Sequence, residues 1–281
     1  MADSRYSPSV RRRRLSALLR RLREERGLKI EDVNRRLEWA SGKLSRMERN
    51  EWKRPSIRDM QDLAEVYALS GEMKDAIVSL AREARTRGWW VDYKDILRGG
   101  LADFEVGASM IRNYESVLVP GLLQTPEYAS AILRSGRVLG DEEIKRKVAA
   151  RMQRQQILEQ ASPPRLWAVV DEAALIKNVG GADVMQGQLQ HLIDMARKPN
   201  IDIQVVRQEV GAYAAMDGSF VILDFPTPED LPLAYIETAT EDLYVEDPEA
   251  IQQYVSIFGH TCGVAETPEE SAAFLQSLVN T

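Results

Sequence analysis

One cysteine and two histidines stand in a chain of 281 residues. Cys262 alone can form no intrachain disulfide and no cysteine-based zinc cluster. His191 and His260 are too few for a multi-histidine metal site, so no metal and no other cofactor is expected. No window approaches the roughly 18 unbroken apolar residues of a membrane span. The opening MADSRYSPSVRRRR carries an arginine run with no apolar stretch of signal-peptide type after it. These absences make a cytoplasmic protein without membrane association the expectation. No G-x-S-x-G nucleophile elbow and no Walker A loop occurs. Asp171 and Glu172 are adjacent, so their carboxylates point apart, and they read as caps of a helix beginning near Ala173. Without a nucleophile, metal or phosphate motif, enzymatic turnover is not expected.

What is present suits a folded chain of two domains. Hydrophobic residues make up 44% and charged residues 28%, enough apolar surface for substantial cores. The net charge of −6 argues, taken whole, against a nucleic-acid binder. Its distribution reverses that argument. Residues 1–90 hold 22 Lys+Arg against 14 Asp+Glu, while the remaining 191 hold 15 against 29. A basic front and an acidic body point to two units with different partners.

The front is read as five short helices with no strand candidate. Leu15, Leu18, Leu19 and Leu22 share one face of a helix from Arg11 to about Arg26, which Gly27 stops. Ile30, Val33 and Leu37 mark a second, and a third is expected from Ser41 to Arg49. The fourth, Ser56 to about Tyr67, turns Ile57, Met60, Leu63 and Ala64 inward; the fifth, Glu72 to about Arg87, uses Ala76, Ile77, Leu80 and Ala84. Two short helices joined by a few residues form the helix-turn-helix arrangement. In the third helix Leu44 and Met47 face the core, leaving Gly42, Lys43, Ser45, Arg46 and Arg49 outside. Such a cationic face with small neighbours suits a major groove, and a solvated surface helix is the alternative. Arg11, Arg12, Arg13 and Arg14 are expected before the first helix core, as an arm on phosphates or a solubilising tail.

The stretch from LRRLREERGL through LSRMER to DLAEVY resembles the Xre/Cro-type helix-turn-helix domain of bacterial regulators. That resemblance implies major-groove contacts for Ser41, Gly42, Lys43, Ser45 and Arg46, and an internal structural role for Glu48. The sequence departs from the family pattern in three places. Asn34 stands where a small Ala is usual, Glu38 where the turn has glycine, and Ile30 where a polar residue commonly opens the second helix. Glu38 can make the turn only at a conformational cost if its φ is positive.

From about Arg87-Gly88 the composition shifts, giving expected domains of 1–87 and 88–281. Helices are read at 101–116, 126–135, 141–160, 172–178, 182–197, 248–260 and 268–279. Strands are read at 166–170, 201–206, 220–225, 233–236 and 243–245. The fold class expected is therefore an all-α helix-turn-helix domain followed by an α+β domain, a small sheet covered by helices. The loop 211–218 reads as a hairpin connection or a lid, and Gly180-Gly181 as a helix break. Trp89, Trp90, Tyr93, Tyr114, Tyr128, Trp167 and Tyr213 either line a ligand or partner site or are ordinary core anchors.

WWVDY, VLVPGLLQTPEYA, RMQRQ, AVVDEAAL and GSFVILDF, in that order, resemble the C-terminal domain of WhiJ-like, antitoxin-like actinobacterial regulators. The resemblance implies a transcription factor that acts with a small acidic BldB-like partner protein. The leading expectation is a dimeric, sequence-specific binder of double-stranded DNA, nucleoid-associated when bound. Its acidic domain would supply dimerisation and sense a small molecule or a partner protein. The alternative is an antitoxin-like protein-binding module that autoregulates its operon.

Overall fold

The computed structural model of the chain describes residues 8–52, 54–85, 89–93, 96, 100–136, 139–227, 230–238 and 240–280. The chain divides into two compact units, Met1–Asp92 and Tyr93–Thr281. The expected boundary at Arg87-Gly88 lies outside the described residues.

Five helices build the first unit: α1 (Pro8–Glu24), α2 (Ile30–Arg36), α3 (Lys43–Glu48), α4 (Ile57–Val66) and α5 (Gly71–Glu83). Their apolar stripes meet in one core, in which Leu15, Leu19, Val33, Leu44, Met60, Leu63 and Ile77 are almost fully buried. Along helix α5, Ile77 and Ala84 are buried and Leu80 is partly buried as expected, but Ala76 is exposed, and Val78 and Ala81 are buried in addition. The arginine run is not an arm. Pro8 starts the helix, Arg is a good helix former, and buried Val10 extends the leucine stripe one turn upstream, so residues 11–14 lie within α1. Arg11 pairs with Glu83 at 3.2 Å, and Arg12 Nε donates to Asn50 Oδ1 at 3.0 Å.

Four turns connect these helices, with positive φ at Gly27 (63°), at Glu38 (53°) and Gly42 (77°), at Asn50 (58°) and at Ala68 (49°). At the turn between α2 and α3, Trp39 N donates to Asn34 O at 2.8 Å and Glu38 N to Arg35 O at 3.2 Å. These are the two bonds of a Schellman motif, which requires a left-handed residue at the position Glu38 occupies.

The second unit is a six-stranded mixed sheet in the order β3-β2-β1-β4-β5-β6. Its strands are β1 (Met110–Glu115), β2 (Arg165–Asp171), β3 (Ile201–Val206), β4 (Phe220–Asp224), β5 (Leu233–Glu237) and β6 (Asp242–Val245). The first three are parallel; β4, β5 and β6 follow antiparallel. Helices α6 (Leu101–Gly107), α7 (Pro126–Gly136), α8 (Asp141–Gln155), α9 (Glu172–Ile176), α10 (Ala182–Ala196), α11 (Pro248–Val264) and α12 (Pro268–Val279) complete it. The α+β expectation thus resolves into parallel strands with helical crossovers at one side and an antiparallel meander at the other.

Two expectations are corrected. Residues 101–116 are not one helix: α6 ends at Gly107, and 110–115 form β1, near the middle of the sheet. Pairing with β2 and β4 overrides the local helical pattern, and the polar residues this buries are satisfied by pairs across strands. Arg112 lies diagonally opposite Asp224 and binds its carboxylate at 2.6 Å. Residues 211–218 are not a hairpin connection, because β3 and β4 are not neighbours; the segment crosses over β2 and β1.

The edge of β3 is covered. Val205 O accepts from Glu266 N and Val205 N donates to Ser271 Oγ, both at 2.9 Å, so the start of α12 occupies backbone groups that an open edge would expose. A capping box between Thr267 and Glu270 fixes that helix start.

Candidate nucleic-acid interface

Helix α3 begins at Gly42, whose φ of 77° suits glycine and which has no side chain with which to cap the helix. The cap comes from α2 instead: Asn34 Oδ1 accepts from Leu44 N at 3.3 Å. A buried Asn in place of the usual small residue thereby ties the two helices of the motif together, satisfying one of the free N–H groups at the start of α3. At its other end Glu48 accepts from Arg23 and anchors the helix to α1.

The three outward cations differ in what they are free to do. Lys43 Nζ is 2.8 Å from Asp59 Oδ1 and 3.9 Å from the centroid of the Trp39 ring. Arg49 donates to both oxygens of Glu51 at 2.8 and 2.9 Å, and to Ser45 Oγ. That guanidinium holds the Glu51 carboxyl below the usual carboxylate range. Arg46 is exposed and, among the described residues, makes no hydrogen bond or ion pair. Its Nη1 lies 3.3 Å from where a Cβ on Gly42 would stand, so any side chain there meets both the φ constraint and Arg46. Ser41 is exposed just before the helix. Ser41 and Gly42, just before α3, therefore form a small-residue platform beneath one unengaged guanidinium.

The model of a helix-turn-helix domain matches residues 14–77. Unit one is a helix-turn-helix DNA-binding domain, which supports a DNA-binding regulator. A domain of unknown function, DUF5753, matches residues 99–277, well over half of the chain. The chain belongs to the DUF5753 family. No curated protein and no solved structure matches it.

In the DUF5753 unit the aromatic candidates separate. Tyr114, Trp167 and Tyr213 pack on the sheet face beneath α11, with Phe220 and Phe258. Trp167 stands edge-on to Phe258 at 5.5 Å and donates Nε1 to Gln204 Oε1 at 2.7 Å. Tyr114 is fully buried; its hydroxyl is 2.6 Å from that of Tyr213, which donates to the Asp171 carboxylate. Burial pushes the phenols of both tyrosines up. Asp171 also caps α9, accepting from Ala173 N at 2.7 Å. Tyr128, on α7, is buried outside this cluster, and its hydroxyl accepts from Val119 N. Trp89 is half-buried in a 3-10 turn, while the side chain of Trp90 lies outside the described ones.

The remaining candidates are structural in their surroundings. Cys262 packs against the α11-side core, and burial pushes its thiol up to about 11, an inert value at neutral pH. Gly181 starts α10, and a Cβ on Gly180 would stand 2.8 Å from that of Ala131, so this pair permits α7 to approach closely. Among the described residues no group of three or more His, Cys, Asp or Glu is placed to hold a metal ion. No helix among them is long and apolar enough to cross a membrane.

The polar side chains of α8 are the ones sequence reasoning left aside. Arg151, Arg154 and Gln155 are spaced i, i+3, i+4 and therefore lie on one helix face, a signal legible in RMQRQ.

Proposed function

We propose that the chain is a sequence-specific transcriptional regulator that binds DNA as a dimer through α3. The observation that carries this is Arg46: an exposed, unengaged guanidinium on a helix whose preceding residues, Ser41 and Gly42, leave room for a groove wall. Arg46 reads a base edge, a role for which a guanidinium has bidentate geometry against guanine. Lys43, held by Asp59 and Trp39, presents a fixed charge to a phosphate, and Arg49 with Ser45 borders the same face. Two such units occupy half-sites roughly 34 Å apart or a multiple of it. The DUF5753 unit supplies dimerisation and senses a small molecule or a small acidic partner. Its own excess of acidic residues keeps it off the duplex.

Genomic footprinting identifies the operator, and fluorescence anisotropy with that duplex tests the assignment. Arg46→Ala is expected to weaken specific binding by about 1–3 kcal/mol, roughly 5- to 150-fold, with the fold intact. Lys43→Ala lowers affinity for operator and random DNA alike and flattens the salt dependence by about one unit of slope. Operator affinity in Arg46→Ala equal to that of the native chain sinks the recognition-helix assignment.

A further inference from the structure

The face of α8 that carries Arg151, Arg154 and Gln155 turns toward the 119–125 segment and the sheet face opposite α11. Each polar group there except one is matched. Gln155 Nε2 donates to the carbonyls of Gly121 and Gln124 at 3.0 and 2.7 Å. Arg154 grips both oxygens of Glu105, which is buried, at 2.5 and 2.6 Å. Gln124 Nε2 donates to Val119 O at 2.7 Å, fixing its amide so that Oε1 accepts from Arg151 Nη1.

That neutral oxygen is what Arg151 has. Among the described residues no carboxylate lies within 4.0 Å of it, although Glu115 on β1 and Glu237 on β5 are close enough to act on its charge. A guanidinium carries five N–H donors, and a partly buried one without a counter-ion is costly to hold charged. Burial and then the neighbouring Arg154 both disfavour the cation. Glu115 makes no ion pair with it; burial raises the pKa of that carboxyl, against hydrogen bonds from Ser219 and Asn113 that lower it. Arg154 and Glu105 cancel. Glu237 is exposed to water. What remains is one half-buried guanidinium whose one acceptor among the described residues is a neutral amide oxygen, so most of its donors are free.

We propose that Arg151 anchors a site for an organic monocarboxylate between α8 and the β1–β5 face of the sheet. The ligand carboxylate would take the free edge of the guanidinium in a bidentate pair. A dianion fits less well, because only one positive charge is unanswered and Glu237 stands nearby. This inference deepens the sensing role given above to the DUF5753 unit and rests on it for biological meaning only. Binding is read without DNA, so failure here and failure of the operator assay are distinguishable.

Full-length protein is titrated with sodium acetate, sodium benzoate, inorganic phosphate or putrescine, at constant ionic strength against sodium chloride. Calorimetry and thermal unfolding follow binding. Acetate or benzoate is expected to bind saturably and raise the unfolding temperature by about 2–4 °C. Arg151→Gln should lose at least tenfold in carboxylate affinity while its unliganded unfolding temperature stays level or rises. Arg151→Lys should keep part of the affinity. No saturable carboxylate binding, a preference for phosphate or putrescine, or undiminished binding by Arg151→Gln overturns the proposal. A lower unliganded stability of Arg151→Gln overturns it too, since Arg151 would then serve to hold Gln124.

Discussion

Glu48 accepts hydrogen bonds from both Nε and Nη2 of Arg23, at 2.7 and 2.9 Å, across 25 residues of chain. The pair is nearly dry: the side chains are 11% and 4% exposed. Arg23 Nη1 also donates to Leu28 O, so one guanidinium joins the end of α1, the following turn and the end of α3. The bond to Glu48 raises the pKa of Arg23 and keeps it charged.

Removing Arg23 leaves the Glu48 carboxylate buried without its cation, and removing Glu48 leaves Arg23 with only the exposed Glu24 as counter-ion, at 3.3 Å. Arg23→Met or Glu48→Ala is expected to cost about 3–5 kcal/mol in urea unfolding, a large share of the stability of so small a unit. The double variant should recover much of that loss. A single-variant cost below about 1 kcal/mol would show the pair to be solvated in solution.

Glu38 stands at φ 53°, where the Schellman turn between α2 and α3 favours glycine. An L-residue there costs about 1–2 kcal/mol, part of which glycine returns as extra freedom of the unfolded chain. Glu38→Gly should therefore raise stability by about 0.5–1 kcal/mol without changing operator affinity. Calorimetric unfolding beside the anisotropy assay checks both halves. A fall in the unfolding temperature would mean that the Glu38 side chain compensates for its backbone.

The helix-turn-helix unit was legible because its signals are local. A leucine stripe at helical spacing and a glycine stop are each properties of a few consecutive residues, and α1 through α5 fell near their expected limits. Even the awkward Glu38 could be named in advance. The arginine run misled because charge was weighed above helix propensity. In the second unit β1 was missed because MIRNYE has polar residues where a buried strand usually has aliphatic ones. Arg112 and Asn113 become tolerable only when Asp224 and Phe220 O arrive from β4, more than 100 residues later. The crossover at 211–218 was missed for the same reason: strand order is a long-range property. The separation of Tyr128 from Tyr114, Trp167 and Tyr213 was likewise invisible, since residue type carries no information about which side of a sheet a ring occupies.

His191 is half-buried on α10, and its Nε2 is sealed from water with no hydrogen-bond partner among the described residues. Burial, with Lys198 in second place, lowers its pKa below the ordinary 6.5. As pH falls below 6.5 the unfolded chain takes up the proton first, so stability present above that pH is lost down to the folded-state pKa. The native chain should lose about 1.4 kcal/mol per unit of that depression between pH 7.5 and the lower limit. His191→Gln should flatten this part of the profile in urea midpoints measured at pH 7.5, 6.5 and 5.5. Parallel profiles for the two proteins would remove His191 as the cause.

Tyr213 ties the crossover from β3 to β4 to the sheet through its ring, with Ala215 buried beside it, as well as through its hydroxyl. That oxygen meets Tyr114 at 2.6 Å and donates to Asp171, while neighbouring Met216 is 59% exposed and adds little packing. Tyr213→Phe keeps the ring beside Tyr114 and removes the donor. Asp171 retains its bond from Ala173 N, so α9 remains capped, but the carboxylate loses its charged hydrogen bond. The expected cost is about 1.5–3 kcal/mol, and it should appear locally before it appears globally. Amide exchange in 211–218 should speed up at least tenfold while the amides of β2 and β4 keep their protection. Asp171→Asn should add loss of α9 protection to the same effect, because it weakens cap and latch together. If Tyr213→Phe leaves exchange in 211–218 unchanged, packing under α11 holds the crossover and the hydroxyl bridge contributes little.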